Sequence, residues 1–78
     1  MKIYFIGSER QRDIAAYIQE RKATSVAEIT DKFGVSERTI RADLKSLRRV
    51  LPIETKQGRY GGGVFWVGLE DEEVVEFR

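Results

Sequence analysis

The sequence predicts an α+β domain: three helices followed by a β-hairpin, with an extra short strand at the N-terminus. Apolar residues recur at helical spacing in three successive segments before Pro52, and after it the period shifts to two. The changes of pattern fall at Ser, Gly and Pro residues suited to starting or ending an element.

Lys2 to Ile6, KIYFI, is rich in β-branched and aromatic residues and stops at Gly7, which predicts a strand. So short a strand needs an edge to join, in this domain or in a partner. Ser8 then opens the first helix, with Gln11 completing a capping-box pattern, and Ile14, Ala15, Tyr17 and Ile18 form its apolar side as far as Arg21 or Lys22. After a brief extended link at Ala23-Thr24, Ser25 and Glu28 form a second capping-box pattern. The short helix they open turns Val26, Ile29 and Phe33 inward. Gly34 follows at its C-terminal end, where a left-handed backbone costs a glycine little.

The third helix starts from Ser36 as its cap and extends toward Leu51, ending before Pro52 because a residue preceding proline is pushed out of the helical region. At about 100° per residue, Ile40, Leu44, Leu47 and Leu51 gather on one side and Arg38, Arg41, Lys45, Arg48 and Arg49 on another. Such a helix buries one face and offers cations on the other. It fits the major groove of B-DNA, where Arg and Lys neutralise phosphates or bond guanine edges. A basic stripe is also what an ordinary solvated helix face looks like. Its place directly after a helix and a tight turn favours the groove.

Ile53–Gln57 and Val64–Val67 predict hairpin strands joined through Gly58-Arg59-Tyr60-Gly61-Gly62-Gly63. Three helices and a hairpin make a winged helix-turn-helix, with Lys56 and Arg59 on a wing placed to reach phosphates or an adjacent minor groove. The triple glycine has three readings: a flexible turn, a close backbone approach to DNA, or a phosphate cradle. The last is weakest, since no Gly-Lys-Ser/Thr ending and no helix follow. The chain thus divides into an N-terminal strand (1–7), the winged helix-turn-helix (8–67) and an acidic C-terminal tail (68–78). The tail reads as a solvated terminus, or as a segment whose Val74, Val75 and Phe77 pack on the first strand or on a second subunit.

The net charge of +1 conceals a division. Residues 1–35 hold six basic and five acidic side chains, residues 36–67 seven and three, and residues 68–78 one and five. The middle is a basic module and the tail is acidic. With no Cys and no His, disulfides, thiolate metal sites and Ser-His or Cys-His catalysis are excluded by inventory. The acids at Glu70 to Glu73 are sequence neighbours and not a carboxylate pair built around a pocket, so the expectation is a non-enzyme without cofactor or small-molecule site. No apolar run reaches the length of a membrane span and the opening residues do not make a secretory signal, so a cytoplasmic location is expected.

Arg10, Ile14 and Ile18 at four-residue steps, then Ser36 after seventeen intervening residues and Thr39-Ile40-Arg41-Ala42-Asp43-Leu44, resemble the DeoR-type bacterial repressor helix-turn-helix. PIETKQGRYGGG is similar to that group's glycine-rich wing, and the likeness covers about residues 10–67. The resemblance implies double-stranded DNA binding by Ser36, Arg38, Thr39, Arg41 and Lys45, in transcriptional control by occupying an operator. Ser36 is also a helix cap, Thr39 a candidate for a local backbone bond, and Arg38 and Arg41 are the candidates for base edges. Asp43 does not suit a surface that meets phosphates, and we expect it to pair with Arg10 and clamp the first helix onto the third. Thr30 departs from the small apolar residue usual at its position, and the extra N-terminal strand is a second departure. Family members normally carry an effector-binding domain after the wing, so inducer binding does not transfer to these residues.

A homodimer is expected, since one recognition helix covers little sequence and two-fold symmetry matches a palindromic site. Two alternatives stand beside this reading: a protein-interaction module whose basic face docks an acidic partner, and the DNA-binding fragment of a longer ligand-controlled regulator.

Overall fold

The computed structural model describes residues 2–5, 7–58, 62–68 and 73–76. The elements in chain order are β1 (Lys2–Phe5), α1 (Glu9–Arg21), β2 (Ala23–Ser25), α2 (Val26–Phe33), α3 (Glu37–Leu47), β3 (Ile53–Lys56), β4 (Gly63–Trp66) and β5 (Glu73–Glu76). Three helices packed on an antiparallel sheet of order β2-β4-β3 make this an α+β winged helix-turn-helix.

Helix α1 begins as its sequence dictates. The Ser8 hydroxyl accepts the Gln11 N–H at 3.1 Å, and the Gln11 side-chain oxygen accepts the Ser8 N–H at 3.2 Å. Two otherwise orphaned donors are satisfied by one pair of side chains. Ile14, Ala15 and Ile18 are fully buried, and Tyr17 meets Phe33 of α2 edge-on at 6.0 Å between ring centroids. The helix ends at Lys22, whose φ of 66° is left-handed. Its backbone is held from both sides: its N–H donates to the Ile18 carbonyl at 2.9 Å, and its own carbonyl accepts from Trp66 N–H at 2.8 Å.

Ala23-Thr24, expected as a mere link, belongs to a strand: Ala23, Thr24 and Ser25 pair with Phe65, Val64 and Gly63 of β4. Three residues are too few for a period of two to register, which is why the pattern hides it. The Ser25 hydroxyl caps α2 by accepting the Glu28 N–H at 3.1 Å, but the reciprocal half of the expected box is replaced. The Glu28 carboxylate instead accepts the Thr24 hydroxyl at 2.8 Å and meets Arg21 at 3.4 Å. Helix α2 ends at Gly34 with φ 67° and ψ 29°, the left-handed cap expected there.

Helix α3 is shorter than the sequence suggested. It stops at Leu47, not near Leu51, and residues 48–50 form a tight turn in which Val50 N–H bonds the Leu47 carbonyl at 3.1 Å. Pro52 is the cause: within a continued helix its ring would strike the carbonyl four residues back, at Arg48. Leu51 is nonetheless buried, because the turn folds it back onto the core.

The core joins Ile14 and Ile18 of α1, Ile29 of α2, Ile40, Leu44 and Leu47 of α3, and Ile53, Val64 and Trp66 of the sheet. β4 is the central strand, pairing with β2 on one side and with β3 in the register Ile53↔Trp66 to Lys56↔Gly63 on the other. Gly62 is where the hairpin returns. Its φ is 93°, and a Cβ there would lie 2.9 Å from the Lys56 carbonyl oxygen. The close approach at Gly62 is thus to the protein's own backbone, which is none of the three readings of the glycines.

β1 pairs with β5 in parallel, from Lys2↔Glu73 to Phe5↔Glu76, as a separate two-stranded ladder. The segment expected as an acidic tail thus contains a strand that meets the N-terminal one. Phe77 lies outside the described residues. Among the described residues, no helix is long and apolar enough to cross a membrane.

Candidate nucleic-acid interface

Helix α3 is amphipathic in charge as well as in polarity. Ile40, Asp43, Leu44 and Leu47 are buried, while Glu37, Arg38, Arg41, Ala42, Lys45 and Ser46 are exposed. At 3.6 residues per turn, Arg38, Arg41, Lys45 and Arg48 spread over an arc of about 80°. Arg38 and Lys45 lie near the middle of the exposed face, with Arg41 and Arg48 toward the wing. Thr39 lies at the opposite edge and is half-buried.

Ser36 sets the start of this helix. Its hydroxyl accepts the Thr39 N–H at 3.2 Å and lies 3.0 Å from the Thr39 hydroxyl. Both side chains thus serve the helix terminus, which aims the first turn outward. Of the candidate residues, these two are the ones already engaged by local bonds to each other, as the cap and backbone-bonding alternatives required.

Between α3 and the wing lies a cleft of about 240 Å³. Arg41, Lys45 and Arg48 come to it from the helix, and Thr55, Lys56 and Gln57 from β3 and its end, with Leu44 and Val26 at its base. Four cations converge on one groove. Lys56 is positioned by the Phe65 ring, whose centroid is 5.7 Å from its ammonium nitrogen. It lies on the same face of the sheet as Phe65: its cross-strand neighbour is Gly63, where a Cβ would lie 2.8 Å from the Phe65 ring. Arg59 lies outside the described residues. The structure therefore gathers Arg41, Lys45 and Lys56 on one cleft and Arg38 beside it.

The back of α3 is fixed by the pair expected from the sequence. Arg10 donates to Asp43 through Nε at 2.7 Å and through Nη2 at 3.2 Å, a two-pronged bond between α1 and α3. Asp43 is 4% exposed, and Gln11 adds a third donor at 3.2 Å. The hydrogen bond to Asp43, and then the charge of its carboxylate, raise the Arg10 pKa above its ordinary value. Gln11 therefore serves both the α1 cap and the clamp, a double role that its capping-box position concealed.

Glu37, Ala42 and Ser46 are the exposed α3 residues to which the sequence reading gave no role. Glu37 accepts from Arg41 at 2.8 Å, a pair whose four-residue spacing was visible in the sequence. Ala42 sits among the cations without a side chain long enough to hold the helix away from a facing surface.

A family model described as an HTH domain matches residues 10–64. The chain belongs to this helix-turn-helix family. A Bacillus subtilis (strain 168) protein, described as the uncharacterized HTH-type transcriptional regulator YulB, is 34% identical over 67 residues. The matched region is 86% of this chain and 24% of the relative, so the chain spans about a quarter of the length of the curated relative it matches. No solved structure matches.

Proposed function

We propose that this HTH domain binds double-stranded DNA sequence-specifically in transcriptional regulation, as a DeoR-type repressor domain acting in the cytoplasm. α3 and its following turn enter the major groove, and the wing lies on the flanking backbone or in the minor groove. The observation that carries this reading is the convergence of Arg41, Lys45, Arg48 and Lys56 on one cleft, next to exposed Arg38 and opposite the buried face of the helix. The domain's part is binding, with no chemistry of its own. Ser36 and Thr39 contribute by fixing the helix start, and Arg59 is assigned a DNA contact from the sequence alone. Two copies acting as a homodimer occupy the two halves of a palindromic operator.

The test is fluorescence-anisotropy titration of random-sequence duplex DNA at two salt concentrations, with the Arg38→Ala/Arg41→Ala double variant beside the parent chain. Binding that weakens steeply with salt, and is weaker again in the double variant, supports the reading. A folded chain that does not bind at low salt refutes it and leaves an acidic protein partner for the basic face. Sedimentation at tens of micromolar, where weak dimers with Kd values on the order of 10 µM populate, tests the dimer.

A further inference from the structure

Glu37 is an acid on the face that meets DNA in the proposed function. Its side chain is 57% exposed, and both Nε and Nη2 of Arg41 contact its Oε1 at 2.8 Å, which leaves Oε2 for another donor. As the first residue of α3 it lies in the turn that enters the groove first in helix-turn-helix docking, where side chains reach base edges. Among phosphates a carboxylate is repelled unless it finds a donor. In the major groove the base amino groups supply that donor, and acidic side chains accept from cytosine N4. Arg41, one helical turn further on, is held by the same carboxylate.

We propose that Glu37 determines specificity: it accepts a hydrogen bond from the exocyclic amino group of a cytosine and orients Arg41 toward the neighbouring base pair. This rests on the DNA-binding reading above. An acid in the first turn of a helix also complements the helix dipole, with or without DNA. A test must separate the two roles.

Site selection from a randomised duplex library, performed with the parent chain, Glu37→Ala, Glu37→Gln and Glu37→Asp, makes that separation, with circular-dichroism melts run alongside. The parent is expected to enrich a motif with cytosine at one position. Glu37→Ala loses that preference, about tenfold in relative affinity, and weakens the neighbouring position read by Arg41, while the positions beyond persist. Glu37→Gln shifts the same position toward adenine, the base a carboxamide reads through two bonds. Glu37→Asp keeps the charge at the helix start and the melting temperature but, one methylene shorter, loses the cytosine preference as well. A motif identical in all four proteins overturns the assignment and leaves Glu37 as a helix-terminus acid. If the parent enriches no motif, specific DNA binding fails and Glu37 with it.

Discussion

The cleft makes a quantitative prediction about salt. Beside the Glu37–Arg41 pair, four described cations line or flank it, namely Arg38, Lys45, Arg48 and Lys56. If each neutralises one phosphate, the logarithm of the affinity for random-sequence DNA falls with the logarithm of salt with a slope of about −3.6, at about 0.9 per contact. From about 50 to 200 mM salt that is a loss of about 150-fold. Lys45→Gln and Lys56→Gln, on opposite walls, each remove one contact, so each slope becomes about −2.7 and the loss about 40-fold. The two changes add in the double variant. Arg12→Gln on α1, whose side chain lies 3.9 Å from Glu9 and 3.8 Å from Asp13, leaves the slope at the parent value. Anisotropy titrations at four or more salt concentrations measure all of this. Slopes that stay at the parent value in both lysine variants refute the assignment of the cleft to phosphate, whatever the affinity itself does.

Three further outcomes are expected. Ile40→Ala removes a fully buried side chain that α3 shares with the core, at about 3 kcal/mol; for a domain this size that lowers the melting temperature by about 12–24 °C in a circular-dichroism scan. Gly62→Ala forces a Cβ to 2.9 Å from the Lys56 carbonyl at a φ of 93° and lowers urea-unfolding stability by about 1–3 kcal/mol, whereas Gly58→Ala meets nothing within 4 Å and is tolerated. A double-mutant cycle on Arg10→Ala and Asp43→Ala gives a non-zero coupling in urea unfolding, and Arg10→Ala is the more damaging single change because it leaves the buried Asp43 carboxylate without its cation, whereas Asp43→Ala leaves a half-exposed Arg10 to water.

What the sequence made legible is what short-range physics controls. Ser8 with Gln11, Gly34 and Ser36 each act within four residues of themselves, so their caps appear where the pattern put them. The Arg10–Asp43 bond is thirty-three residues long in sequence yet was readable, because an acid on a basic helix needs a partner and few positions offer one. β2 was not readable, since three residues owe their conformation to β4 and not to themselves. The end of α3 was misjudged because the effect of Pro52 reaches four residues back, to the carbonyl of Arg48, and not merely one. Lys56 was identified as a wing cation, but its place in a cleft with Arg41 and Lys45 depends on how the hairpin packs against α3, which no local pattern encodes.

The two acids of α3 show how the helix keeps a cationic front. Asp43 is turned into the domain and surrounded by Arg10 and Gln11, so its charge is neutralised on the side away from the cleft. Glu37 stays on the surface but is bonded to Arg41. The field over the exposed face is therefore set by Arg38, Lys45, Arg48 and Lys56, with the Glu37–Arg41 pair contributing nearly no net charge. A phosphate backbone approaching that face meets attraction along the cleft and a neutral, hydrogen-bonding pair at the helix start. On the proposed docking, affinity and discrimination fall to different side chains: the lysines of the cleft would set how tightly DNA is held and how steeply salt releases it, and the paired Glu37 and Arg41 would set which sequence is held. Lys45→Gln should then change the salt slope without changing the selected motif, and Glu37→Ala should change the motif without lowering the slope's magnitude.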